Sequence, residues 1–264
     1  MSPFLARIHL HPIKAFDAVT VDAATVLPSG ALAGDRQWAF VDDQERFVNG
    51  KLYAGIHPIR TDVDPVARTA RFDGAPFSLD GDAAALEAWL SARLGKPVRL
   101  REDAASGFPD DTDSPGPTLI ATATLEAVAG WFGLTLEATR ARFRANLEIG
   151  GVPAFWEDGF YGGVCRIGDD GVALGLDNPC QRCVVPSRDA RTGEPYPLFQ
   201  KRFAEARRST LPATVDRTPF THYYYRLAVN TRLAAESHGG TIHVGDAIAV
   251  TAAAATPQET PCPS

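Results

Sequence analysis

The chain has 264 residues, of which 45% are hydrophobic and 22% charged, the proportions of an ordinary globular protein, with a formal net charge of −6. That length holds one large domain or two modest ones, each with its own core, and the acidic balance argues against a protein devoted to nucleic acid or to anionic membrane. The start, Met1 to Arg7, lacks the basic and apolar runs of a signal peptide, no segment approaches the roughly 20 apolar residues of a membrane span, and four cysteines are no disulfide framework, so a reducing, cytoplasmic setting is expected.

In chain order, the first hundred residues read mostly as short strands. Phe4 to His9 and Val19 to Val26 alternate, and Gln37 to Val41 is apolar and aromatic before a turn at Asp42-Asp43. Val66 to Phe72, Asp73-Gly74 and Pro76 to Leu79 predict a hairpin, and Asp82 is placed to cap a helix running to Leu94 with Leu86, Trp89, Leu90 and Leu94 on one face. Residues 102–117 turn acidic and rich in Gly and Pro, which marks a loop or a boundary. A helix starting at Thr122 or Thr124 and ended by Gly133 follows, then strands over Phe143 to Ile149, Val164 to Ile167, Val172 to Leu176 and Cys183 to Val185. Phe199 and Phe203 put Leu198 to Arg207 on a helix, and strands over His222 to Val229 and Thr241 to Val250 complete the second half. The expectation is a mainly β, α+β protein with a domain over 1–105, a second over 106–252 and a disordered tail over 253–264 that includes Cys262.

Positive charge is clustered on this acidic chain. Arg140, Arg142 and Arg144 form one group, and residues 182–208 carry seven Lys and Arg against three acidic residues. Such clusters suit a small anionic ligand such as a phosphorylated cofactor, although Arg207 and Arg208 read as a solvated helix face. Cys180-Gln181-Arg182-Cys183 lies among them. A neighbouring cation favours a thiol's charged form, so Cys183 is a candidate thiolate, either nucleophile or ligand for a soft metal. Zinc is disfavoured because no second ligand pair at zinc spacing exists, and thioredoxin-like chemistry because Val184-Val185-Pro186 follows where a helix would have to open. No G-x-S-x-G, G-x-x-x-x-G-K-S/T or G-x-G-x-x-G motif is present. Cys165 reads as a small buried hydrophobe.

His11-Pro12-Ile13-Lys14, Gly34-Asp35-Arg36, Asp113-Ser114-Pro115, Arg142-Phe143-Arg144-Ala145-Asn146, Glu157-Asp158, Ile167-Gly168, Cys180 to Cys183 and Ile242 to Asp246 follow one another in register. Together they resemble the MOSC family, named after the C-terminal domain of molybdenum cofactor sulfurase, and within it the two-domain bacterial proteins and the mitochondrial amidoxime-reducing component. The resemblance runs from about residue 4 to residue 250. It implies a small N-terminal β-barrel domain packed on a MOSC β-barrel domain, with the molybdenum cofactor, Mo-molybdopterin, between them. Cys183 matches the cysteine that ligates molybdenum and is the catalytic ligand of the reductase members; Arg182 precedes it, and Cys180 matches a less essential position read as a structural thiol. Lys14, Arg36, Arg144 and Asn146 match residues that hold the pterin or phosphate end, with Asp113, Ser114 and Thr124 as further candidates. Asp113-Ser114-Pro115 reads equally as a turn and helix start, and Asp158 as a structural carboxylate paired with an arginine. Ala15, Ala145 and Pro186-Ser187 depart from the family pattern, mainly on the substrate and phosphate sides.

The activity implied is reduction of N-hydroxylated compounds such as hydroxylamines, amidoximes or hydroxylaminopurines. An external ferredoxin or flavoprotein reductase would donate the electrons, with no nucleic-acid or membrane partner. A persulfide carrier, or a protein that binds and hands over the cofactor, is the alternative from another class, and a degenerate domain without metal is the third.

Overall fold

The computed structural model describes residues 2–169, 171–213, 215 and 217–253; the tail, apart from Ala253, and with it Cys262, lies outside the described residues. β1 (Phe4–Leu10) buries Leu5, Ile8 and Leu10. The strand expected over Val19 to Val26 is broken at Asp22 into β2 (Val19–Val21) and β3 (Ala23–Val26). β4 (Trp38–Asp42) is buried along its length, and Asp42 shapes the turn that follows by accepting from the N–H groups of Gln44 and Arg46. β5 (Thr61–Asp64) was not anticipated; it pairs with β6 (Thr69–Phe72), which folds back at Asp73-Gly74 into β7 (Ala75–Ser78). Asp73 and Gly74 both have positive φ, 48° and 86°, the backbone a tight two-residue hairpin requires.

α1 (Ala83–Leu94) buries Leu86 and Leu90, but the Asp82 carboxylate accepts from Ser78 rather than from the helix, so the expected side-chain cap is absent. β8 (Val98–Glu102), also unanticipated, pairs with β4. After β9 (Leu119–Ala121), α2 (Thr122–Phe132) ends at Gly133 as expected. α3 (Leu136–Phe143), capped by the Thr135 hydroxyl accepting from Ala138 N–H, occupies sequence expected partly as strand. Thr139, Arg142 and Phe143 are its buried residues, a 3–4 spacing that makes Phe143 the last residue of a helix; β10 (Leu147–Gly150) starts only after Arg144 terminates it.

β11 (Val164–Ile167) carries Cys165 fully buried, and burial pushes that thiol up to about 12. β12 (Val172–Gln181) runs five residues beyond its apolar alternation. The strand expected over Cys183 to Val185 is absent: Val185–Ser187 is a single 3-10 turn, because Pro186 fixes φ and offers no N–H to a ladder. α4 (Phe199–Thr210), β13 (Arg226–Leu233), β14 (Gly240–His243) and β15 (Ile248–Thr251) complete the chain.

Eight strands form one sheet in the order β15-β11-β12-β13-β9-β10-β1-β2. It closes on itself: Leu5 N–H donates to Asp246 O (2.8 Å), Gly245 N–H to Leu5 O (2.8 Å) and Ile248 N–H to Pro3 O (3.1 Å). Leu5, Ile8, Leu147, Leu174, Val229 and Ile242 fill its interior, and β3 pairs with β14 beside it. β4 and β8, with the β5-β6-β7 sheet and α1, enclose a second core built on Trp38, Phe40, Phe72, Leu86 and Leu90. A third core, Phe132, Phe143, Phe199, Phe203 and Tyr225 among its members, joins α2, α3 and α4 to the closed sheet. The described residues are mainly sheet with four α-helices, a two-domain α+β fold as expected.

Arg207 is not solvated. It is 1% exposed, donates to Asp158 Oδ2 and lies over the rings of Phe155 and Phe220 at 4.7 and 5.2 Å, while Tyr161 donates to the other oxygen of Asp158. The Asp158 carboxylate is thus the arginine-paired group that the sequence suggests. Its neighbour Glu157 is equally buried, accepts from the Thr124 hydroxyl (3.0 Å), and burial followed by the Asp158 charge raises its pKa well above the ordinary carboxylate value. Folded protein therefore keeps this proton in a pH range where unfolded chain has lost it, so stability falls as pH rises from the unfolded value near 4.5 through the folded one. Glu157→Gln, which keeps the acceptor for Thr124 without the charge, is expected to gain stability relative to wild type from pH 5 to pH 8. Urea midpoints of both proteins at the two values check this; a difference independent of pH would refute it.

Candidate functional site

A cleft of about 1240 Å³ opens between the second and third cores, with Phe16 and Ile56 from the second and Leu125 and Ala145 from the third in its walls. Eleven Lys and Arg residues but only six Asp and Glu line it, an excess of positive charge on a chain whose net charge is −6. Low-dielectric walls focus such a field, so the cleft suits an anionic ligand.

The segment after β1 supplies the first wall. Lys14 N–H bonds to Trp38 O, and its ammonium donates to the carbonyl of Phe108 (2.8 Å) and to the Asp110 carboxylate (2.5 Å) while lying over the Phe47 ring. Burial lowers the Lys14 pKa, partly offset by Asp110. Asp110 itself, on the open side of the cleft, is held well below the usual carboxylate range because Lys14, Arg36 and Arg144 outweigh the opposing effect of its surroundings. Arg36 adopts φ 49° and pairs with Asp35, whose other oxygen accepts the His11 N–H (2.7 Å).

α3 delivers the second wall. Arg144 terminates it at φ 53°, a left-handed conformation, and that backbone turns the guanidinium into the cleft. Among the described residues it makes no side-chain hydrogen bond and no ion pair, and burial, then the Arg36 charge, lowers its pKa to about 10. Ala15, Arg36 and Arg144, all lining the cleft, share this positive φ, a clustering of backbone strain characteristic of functional sites. Asn146 also lines the cleft, but its amide is spent within the protein: it donates to His9 O (3.0 Å) and accepts from Thr118 (3.2 Å) and Arg36 (3.3 Å). It braces Arg36 and ties β1 to β10.

The third wall is the end of β12 and the loop after it. Arg182 turns toward Cys180, donating to its Sγ at 3.0 Å and to the Phe143 carbonyl, so the cation that sequence placed beside Cys183 contacts the other thiol. The Cys183 sulfur accepts the Val185 N–H at 3.4 Å instead, a contact that the 3-10 turn creates. Both cysteines are free and partly exposed. Among the described residues no group of three or more His, Cys, Asp or Glu could hold a metal ion, so a metal taken by Cys183 would bring its remaining ligands with it.

The other expected site residues lie as follows. Ser114 lines the cleft and donates to Asp177 (2.6 Å). Asp113 is exposed and does not line it; its N–H and that of Ser114 bond to the Asp111 carboxylate, the turn of the alternative reading, although no helix starts there. Thr124 is fully buried on α2, where it accepts from Phe155 N–H (2.6 Å) and donates to Glu157, so it faces the core and not the cleft. Sequence reasoning passed over Asp110, His57, Arg226 and the ring of His11 as site groups, and met Arg188 only as a member of the basic cluster over residues 182–208. His11 is buried; among the described residues neither ring nitrogen makes a hydrogen bond of good geometry, although the Arg144 backbone lies close to the ring, and burial followed by Arg144 and Arg36 drives its pKa well below the ordinary value, leaving a neutral imidazole in a cationic wall. Only the His11-Pro12-Ile13-Lys14 run hinted at it; Asp110, His57 and Arg226 meet the site across 40 or more residues of chain.

Arg142, 4% exposed, secures the Cys183 loop by donating to the carbonyls of Pro186 (3.1 Å) and Arg188 and to Asp189 (3.4 Å). Arg142→Gln leaves buried carbonyls unsatisfied and is expected to cost about 1–3 kcal/mol. It should also speed maleimide alkylation of Cys183 as the loop opens more often, read by peptide mass mapping; an unchanged rate would deny Arg142 this role.

The family description "MOSC N-terminal beta barrel domain" matches residues 2–138, and "MOSC domain" matches residues 118–249. A molybdenum cofactor sulfurase of Drosophila mojavensis is similar, 30% identical over 236 residues; the alignment takes in 75% of this chain but spans 29% of that protein. Among solved structures, the YuaD protein of Bacillus subtilis is 12% identical, with 95% of this chain and 96% of that one covered at a TM-score of 0.45. YiiM of Geobacillus stearothermophilus is 13% identical, with 52% and 54% covered at 0.35. Among the described residues no helix is long and apolar enough to cross a membrane.

Proposed function

The chain belongs to the MOSC family, and on that basis we propose that it is a molybdenum-cofactor-dependent reductase of N-hydroxylated compounds. The observation that carries this reading is a partly exposed free thiol, Cys183, in the wall of a cationic cleft that also holds the unpaired Arg144. The donor set suits the cofactor. A single thiolate satisfies a metal already held by a dithiolene. Arg144, with Lys14 and Arg36 near it, suits a phosphate, and the ring of His11 offers a hydrogen bond to a polar heterocycle.

When bound, the cofactor would supply the two-electron exchange and the Lewis acidity for N–O cleavage. The chain's own residues do the rest. Cys183 would ligate the metal, Arg142 keeps the ligand loop in place, Asn146 braces Arg36, Asp110 holds the Lys14 ammonium, and Arg144, without an ion-pair partner among the described residues, would meet the anionic end. Overall, R–NHOH takes up two electrons and two protons and yields R–NH2 and water. The electrons come from an external ferredoxin or flavoprotein reductase in this reading. Chain produced in a host that makes the cofactor, supplied with a chemically reduced viologen and benzamidoxime, is expected to form benzamidine in proportion to its molybdenum. Molybdenum-loaded protein that forms none would overturn the reading.

The name of the Drosophila relative favours a second reading, in which Cys183 carries sulfur as a persulfide. Cyanolysable sulfur on Cys183 in freshly isolated, metal-free protein would support it.

A further inference from the structure

Most cations of the cleft are already answered. Lys14, Arg36, Arg60, Arg140 and Arg142 pair with Asp110, Asp35, Asp17, Glu148 and Asp189. Lys51 and Arg191 are exposed to water. Arg182 is turned onto the Cys180 sulfur, and Arg144 faces the wall assigned to the cofactor's phosphate. Two guanidinium groups are left, Arg188 and Arg226.

Both are partly buried, and neither has a carboxylate partner among the described residues. Arg188 donates only to Gly193 O (3.3 Å) and Arg226 only to Pro179 O (3.1 Å). The Nε of each is buried without any partner. Their position along the chain is also particular. Arg226 stands opposite Gln181 in the β12–β13 ladder, two residues before Cys183. Arg188 ends the 3-10 turn whose Val185 N–H holds the Cys183 sulfur. Both arginines line the cleft together with Cys183, one from the loop that follows it and one from the strand paired with the segment that precedes it. A guanidinium withdrawn from water without an anion is costly, and one that presents an unsatisfied N–H fork is a ready partner for an oxyanion.

We infer that Arg188 and Arg226 form a substrate subsite beside Cys183 that selects N-hydroxylated compounds carrying an oxyanion, a carboxylate or a phosphate. This rests on the reductase reading for the N-hydroxyl group, whereas the preference for an oxyanion rests on the two arginines alone. The subsite sets which N-hydroxylated molecules dwell at the thiol's side of the cleft, and neutral members of the class bind there without the ion pair.

The test is equilibrium binding of benzamidoxime, its 4-carboxylate and its 4-phosphonate to molybdenum-loaded full-length chain, with molybdenum content measured for every sample. Wild type is expected to bind both anions at least about tenfold more tightly than the neutral compound, a charge-assisted hydrogen-bonded pair being worth that much. In Arg188→Gln and in Arg226→Gln the ratio of anionic to neutral affinity should fall toward one, and Arg188→Lys should restore part of it by keeping the charge. The ratio is read within each protein, so a general loss of loading cancels. A preference for phosphonate alone would narrow the oxyanion to phosphate, and equal preference would leave the wider class. Equal affinity for neutral and anionic compounds in wild type, or an unchanged ratio in both Gln variants, overturns the inference. Binding preference without turnover of any of the three would sink the reductase reading and leave the subsite standing; turnover without preference does the opposite.

Discussion

Cys183→Ala is expected to retain less than about a tenth of the molybdenum of the wild-type chain when both are made in the same cofactor-producing host, because even groups that merely orient a ligand cost 10–100-fold in metal affinity when lost. The argument is one of donors. The described residues contain no cluster of three metal-binding side chains, so a metal at this cleft has at most two protein ligands, and the two free thiols that line it are Cys183 and Cys180. Cys180→Ala is the informative comparison. Its sulfur accepts from Arg182 and packs against the third core, and in this reading it is a structural thiol. It should keep most of the metal, with a stability penalty no larger than that of a lost hydrogen bond to a charged group, about 1.5–3 kcal/mol. Elemental analysis together with circular dichroism separates loss of ligation from loss of fold. Equal metal in wild type and Cys183→Ala would remove Cys183 as the ligand. Low metal in the Cys180 variant alone would exchange the roles of the two thiols.

Arg207→Met should destabilise the protein by about 3–5 kcal/mol, the cost of leaving a buried charge without its partner. Asp158, with 3% of its side chain exposed, would keep only the Tyr161 hydroxyl and backbone around it, and the neighbouring Glu157 offers no compensation. The cost arises from the stranded carboxylate more than from any net worth of the pair. Arg207→Met combined with Asp158→Leu should therefore recover a large part of the loss, even though Tyr161 then lacks its acceptor. Urea denaturation of the four proteins of this cycle measures the coupling. A single variant within about 1 kcal/mol of wild type would mean that solvent reaches Asp158 and that the pair is not buried in solution.

Both predictions depend on positions that the sequence presented unequally. Cys183 announced itself: two cysteines three apart, with an arginine and a proline beside them, are rare in a chain with four cysteines. Adjacency along the chain suggested that Arg182 serves Cys183; the end of β12 turns the guanidinium onto the Cys180 sulfur, and its charge acts on both thiols. Arg207 was taken, with Arg208, for part of a solvated helix face, and nothing local tells which arginine meets a carboxylate 49 residues away. Thr124 and Asn146 show the same limit. Their types suited a cofactor, but a hydroxyl on the inner face of α2 and an amide between β1 and β10 find partners in the protein first.

Strand and helix positions were legible where a local period or a turn dictated them, as in β1, the Asp73-Gly74 hairpin, α1 and the Gly133 stop of α2. They were missed where tertiary packing overrode the local pattern: β5, β8 and β9 are short and owe their extension to neighbours, and α3 took residues read as strand. Residue types in order along the chain were enough to specify the mainly β, two-domain class and the family, and to single out a candidate thiol, because hydrophobic period, turn chemistry and motif spacing are properties of adjacent residues. Which charges are neutralised and which are left facing the cleft depended on the closed sheet and its loops. Arg144, Arg188 and Arg226 differ from their paired neighbours only in what the fold brings within hydrogen-bonding distance, and Coulomb and desolvation energies are set by that distance and by burial.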